Sequence, residues 1–74
     1  MEEKVLEILK NVLDDSSVNK NTTSLNNEKW DSMAHINLVT ELEMEFGVSF
    51  EPEEFPELSS YQAILTLLKA KGVN

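Results

Sequence analysis

The chain has 74 residues, 41% of them hydrophobic, which allows one small domain spanning residues 1–74 with a modest core. Fourteen acidic residues against six lysines and no arginine leave a net charge of -8, which repels nucleic-acid phosphates and favours partners with basic surfaces. With no cysteine there is no disulfide framework, thiolate nucleophile or cysteine zinc site, and no apolar run is long enough for a membrane span, so a soluble cytoplasmic monomer is expected.

From Glu3 to Leu13 the residues Val5, Leu6, Ile8, Leu9, Val12 and Leu13 recur at three- and four-residue spacings, which predicts an amphipathic first helix. The composition then turns to Ser, Asn, Thr and Asp from Asp14 to Lys29. Such side chains bond to nearby backbone and favour turns over helix, so a long ordered loop is expected. Val18 and Leu25 are its aliphatic residues and are read as anchors to the core, with Trp30 covering the core just before the second helix.

Asp31 has the short carboxylate favoured at a helix N-cap, and Ser32 to Phe46 reads as the second helix. Ser32 therefore falls on the first helical position, beside unpaired backbone N–H donors and the positive end of the helix dipole. That environment suits a phosphate. The surrounding negative charge opposes capture of a free anion, so a covalently held phosphodiester fits better than a bound one. At about 100° per residue, Leu38, Leu42, Phe46, Val39 and Ile36 are read as one arc facing the core, while Met33, Asn37, Glu41 and Met44 face solvent.

Gly47 is placed to end this helix in a left-handed conformation, and Val48-Ser49-Phe50 reads as an extended connector. Glu51 to Glu57 predicts one short helix, with Pro52 in its first turn and Pro56 stopping it. Ser59 with Gln62 three residues on predicts a capping box opening the last helix. Tyr61, Ile64, Leu65 and Leu68 form its apolar stripe, and Lys69 and Lys71 complement its C-terminal end before Gly72. The expected fold is an all-α bundle of three main helices plus one short helix. Its predicted core is Leu6, Leu9, Leu38, Leu42, Phe46, Ile64 and Leu68.

The tripeptide Asp31-Ser32-Met33, the Glu-rich helix ending in Phe46-Gly47, Pro52-Glu53-Glu54 and the helix opening near Ser59-Ser60-Tyr61 together resemble the acyl carrier protein family, over nearly the whole chain. The resemblance implies a small acyl-carrier-like bundle and a stand-alone carrier with no catalytic residue of its own. It also implies that Ser32 receives 4'-phosphopantetheine from coenzyme A through a phosphopantetheinyl transferase, with Asp31 capping the helix beside the attachment site. The arm's thiol would then hold acyl intermediates as thioesters, which explains how a chain without cysteine carries them. Enzymes of a lipid (such as fatty acid), polyketide or other specialised biosynthesis would load and unload the arm through basic or apolar docking surfaces. Met33, Glu41, Met44 and Glu45 would form this chain's side of the contact, and Glu43 could join them.

Three departures bear on cargo and partners. Ala34 and Asn37 stand where the family often has acids, and Met33 replaces the usual leucine in a way that resembles D-alanyl carriers. Aminoacyl or peptidyl-type carriage is therefore the alternative, and an unmodified interaction module the second alternative. An enzyme with Ser32 as nucleophile and His35 as base needs a nucleophile turn and an oxyanion site that the sequence does not offer, and His35 reads better as a packing histidine at the core edge. Glu51, Glu53, Glu54 and Glu57 lack the alternation and glycine of a calcium loop, so no metal site is assigned.

Overall fold

A computed structural model describes residues 1–73. Three α-helices, α1 (Glu2–Leu13), α2 (Ser32–Phe46) and α3 (Tyr61–Ala70), and a 3-10 helix (Pro52–Glu57) follow one another along the chain. Among the described residues there is no strand, only an antiparallel bridge between Thr23 and Ser60. This is the all-α fold expected, with α1 packed against both α2 and α3.

The core is fully closed around Val5, Leu9, Leu38, Leu42, Leu58, Tyr61, Ile64 and Leu68. Of the predicted core, Leu6 and Phe46 sit half-buried at its margin rather than inside it. Ile36 departs further, being 56% exposed. It lies two positions from Leu38, and residues so spaced on a helix point to opposite sides, so no common arc can hold both. Leu25 is likewise 97% exposed. The loop from Asp14 to Asp31 is held instead by Val18 and Trp30, both buried, and by its own polar side chains.

Those polar contacts form a chain of short turns. Asp15 accepts from the Ser17 amide at 2.9 Å, Asn19 from the Asn21 amide at 2.7 Å, and Thr23 from the Leu25 amide at 3.1 Å. Asn27 reaches back across the loop to Asp15 at 3.0 Å. The Ser24 amide donates to the Ser59 carbonyl at 2.8 Å and the Tyr61 amide to the Thr22 carbonyl at 3.1 Å, fastening the loop to the start of α3.

That fastening moves the α3 cap. The Ser59 carbonyl serves the loop, and Ser60, not Ser59, takes the extended cap conformation and accepts from the Ala63 amide at 3.0 Å. Gln62 is then one position too early to reciprocate, and its amide nitrogen lies 3.4 Å from the Lys20 carbonyl. Pro52 opens the 3-10 helix as expected, but Pro56 lies inside it and the helix runs on to Glu57. Lys71 caps the end of α3 and pairs with Glu54 at 3.0 Å.

Candidate functional site

Asp31 leaves the loop in an extended conformation and its carboxylate accepts from the Ala34 amide at 2.9 Å. Its carbonyl takes the His35 amide at 2.9 Å, the first bond of the helix ladder. One cap therefore satisfies the third helical position, while the amides of Ser32 and Met33 stay free of intrahelical partners as at any helix start. Ser32 is exposed on the first position, so its hydroxyl is presented outward next to those donors. A phosphodiester on this oxygen gains from both the donors and the dipole.

Around Ser32 is an open cleft. Ser24 of the loop and Ser59 before α3 supply hydroxyls, while Trp30, Ile36 and Pro56 supply apolar walls. Asp31 is its one charged residue, so nothing basic in the cleft would hold a free phosphate. A wider depression over the loop, lined by residues such as Asp15, Asn19 and Asn26, lies away from Ser32 and is occupied with its own turn bonds.

His35 stands one turn beyond Ser32 and is partly buried, in keeping with the packing role read from the sequence. Both ring nitrogens are engaged. The Trp30 indole N–H donates to Nδ1 at 3.0 Å, and Nε2 lies 2.7 Å from the Phe55 carbonyl. A ring so committed has no lone pair for the Ser32 proton, which removes the nucleophile-and-base arrangement. The glutamates of the short helix are also at work locally. Glu54 accepts from the Glu51 amide at 2.7 Å and pairs with Lys71, and these contacts, the amide first, hold its carboxyl below the ordinary carboxylate range.

The residues expected to dock partners are all on the surface of α2. Met33 and Met44 are 68% and 73% exposed, and they share a face three turns apart. Glu41 borders a groove between α1 and α2 beside Asn37 and Thr40. Glu45 is exposed, with Lys4 of α1 at 3.9 Å. Glu43, by contrast, turns back to accept from the Phe50 amide at 2.8 Å and so fixes the connector after α2. Sequence reasoning missed Ile36 at the cleft and the linkage through His35. For Ile36 the signal was present in its spacing from Leu38, whereas Phe55 lies 20 residues from His35 and nothing local pairs them.

The small helical domain thus places one exposed serine at the start of its second helix, directly after the Asp31 cap. The family model described as "Phosphopantetheine attachment site" matches residues 3–68, from the first turn of α1 to the end of the α3 stripe. The chain belongs to that family. It is a non-catalytic carrier domain for a covalent 4'-phosphopantetheine, and a phosphopantetheinyl transferase is its partner. None of the curated proteins compared with the chain matches it. No helix among the described residues is long and apolar enough to cross a membrane.

Proposed function

We propose that Ser32 is the attachment residue, in a single carrier domain over residues 1–74 that works as a cytoplasmic monomer. The observation carrying this is the Asp31 cap. It satisfies the Ala34 amide at 2.9 Å while leaving the Ser32 hydroxyl exposed at the helix start. In the transfer, the Ser32 Oγ–P bond forms as the bond between that phosphorus and the adenosine 3',5'-diphosphate part of coenzyme A breaks. The hydroxyl proton leaves to a base of the transferase, because the His35 nitrogens are both occupied.

When attached, the arm supplies the thiol on which a thioester is carried. We assign acyl intermediates as the cargo, for enzymes of a lipid, polyketide or other specialised biosynthesis. Trp30, Ile36 and Pro56 support this, because they offer apolar contact to an alkyl chain next to Ser32. Met33 and Met44 with Glu41 and Glu45 form the docking surface, where exposed thioethers favour apolar contact over charge steering. An aminoacyl cargo is the second reading, favoured by Met33 in the place of leucine.

Two measurements test this. Proteolytic mapping of the arm-loaded protein should place the added mass on the peptide holding Ser32; any other location overturns the assignment. Loading from acyl-coenzyme A donors of increasing chain length should raise the melting temperature progressively as apolar contact grows. A flat response favours the aminoacyl reading.

A further inference from the structure

Counting from the Asp31 cap of α2, Trp30 is the residue before the cap and His35 the fourth helical residue. This is the pair whose apolar contact commonly fixes the angle at which a chain enters a helix. Here the contact is a ring stack, centroids 6.3 Å apart and planes 30° from parallel, to which a hydrogen bond is added. An indole N–H can only donate, so His35 Nδ1 must be unprotonated, and the ring proton then sits on Nε2. Nε2 faces the Phe55 carbonyl, which can only accept. One neutral tautomer therefore satisfies both partners, and it links the loop, α2 and the 3-10 helix in a single chain of bonds.

Ser32 lies inside this staple. Trp30 and His35 line its cleft from the α2 side, and Pro56, next to Phe55 in the 3-10 helix, lines it from the other. The 3-10 helix has no fully buried residue, and Phe55 packs only half-buried against the core, so the His35 bond to the Phe55 carbonyl is a second tie that fixes it against α2.

We propose that His35, as the neutral Nε2–H tautomer, is a positioning residue for arm transfer to Ser32: it holds the Trp30–Ser32 turn and the Phe55–Pro56 wall in the arrangement the transferase accepts. It takes no part in the proton transfer. This rests on Ser32 being the attachment residue. When the staple is lost, only a fraction of molecules presents the serine correctly, and apparent affinity falls by that fraction while the bound complex reacts as before.

The test has a spectroscopic and a kinetic arm. In nitrogen-15 spectra of the unmodified protein, His35 Nδ1 should resonate as unprotonated and Nε2 as protonated, and Trp30→Phe should shift Nδ1. The opposite tautomer, or a ring protonated on both nitrogens at neutral pH, overturns the proposal. Steady-state arm transfer is then compared for wild type, His35→Ala, His35→Asn and Trp30→Phe, each first verified as helical by circular dichroism. Trp30→Phe should raise KM about fivefold, the equivalent of one ordinary hydrogen bond, and His35→Ala, which also loses the Phe55 tie, should raise it further, each with kcat within about twofold of wild type. His35→Asn, whose side-chain oxygen can replace Nδ1 as acceptor for Trp30 but whose shorter side chain does not reach the Phe55 carbonyl, should recover part of the loss seen in His35→Ala. Equal KM in all four proteins overturns the positioning role alone, as does a fall in kcat at unchanged KM. No transfer to the wild type is instead the failure of the Ser32 assignment.

Discussion

Lys71 Nζ lies 3.0 Å from Glu54 Oε1 and 5.3 Å from the centre of the Phe50 ring, so one lysine closes the end of α3 onto both the 3-10 helix and the connector that follows α2. The Glu54 carboxyl is held low by the Glu51 amide and then by Lys71, and the Asp15 carboxyl by Ser17 first and Asn27 and Lys29 after it. A carboxyl with a depressed folded value binds protons more weakly in the native state. Its contribution is present above the unfolded value of about 4 and is lost as pH falls from there through the folded value. Thermal melts at successively lower pH should therefore show the melting temperature dropping below about pH 4. Glu54→Gln should make that drop shallower, and an unchanged slope would remove Glu54 from the account.

The Tyr61 hydroxyl is buried with no hydrogen-bond partner among the described residues, and the ring is fully enclosed by the core. Burial, then the Glu2 charge, pushes its ionisation up. A raised folded value means the contribution is intact below about pH 10, the unfolded value, and is lost as pH rises from there. Because the hydroxyl is desolvated without compensation, Tyr61→Phe should be neutral or stabilising by about 1 kcal/mol, where a bonded tyrosine would lose stability. Urea unfolding of the two proteins decides it, and a loss of about 1 kcal/mol or more would mean the hydroxyl has a partner in solution.

Two helices end in left-handed residues of opposite character. Gly47, at φ 64°, ends α2, and Asp14, at φ 51°, ends α1. A Cβ at Gly47 would meet nothing within 4 Å, so Gly47→Ala isolates the backbone cost and should lose about 1 kcal/mol. Asp14→Gly should move stability the other way by a similar or smaller amount. Equal signs for the two changes in chemical denaturation would contradict the left-handed assignment of one of them.

Removal of the α2 cap tests the local frame of the site. Asp31→Ala leaves the Ala34 amide without its 2.9 Å acceptor and should cost about 1 kcal/mol of folding stability. Amide hydrogen exchange should quicken first at Ala34 and His35, ahead of the rest of α2. Uniform quickening over the whole helix would show that the cap acts globally instead.

Partner contact through exposed thioethers has its own signature. Substituting Met33 or Met44 by Ala should weaken transfer to and from partner enzymes, and the effect should persist as salt is raised. A steep loss of wild-type transfer between low and physiological ionic strength would instead assign recognition to Glu41 and Glu45.

The second helix was readable from the sequence because both of its ends are written locally. Asp31 can cap within three residues, and Gly47 alone tolerates the left-handed exit without strain. The same local signals give α1, the 3-10 helix and the exposed position of Ser32. Where the sequence misled, a distant group had the deciding bond. Ser59 looks like a cap, but its carbonyl serves Ser24 at 2.8 Å, so the cap moves to Ser60. Leu25 looks like an anchor, yet turn bonds from Thr23 and Asn26 hold the loop there and leave Leu25 outside. Glu43 reads as a surface charge until the Phe50 amide is seen to need it. The tautomer of His35 depends on Trp30 and Phe55 together, and no periodicity brings those two to one ring.

The most direct test of the account is the intact mass of the protein before and after incubation with coenzyme A, magnesium and a broad-specificity phosphopantetheinyl transferase, with Ser32→Ala alongside. The wild type should gain one phosphopantetheine and Ser32→Ala none. An equal gain in Ser32→Ala, or no gain in a folded wild type while a known carrier is modified in the same tube, would contradict it.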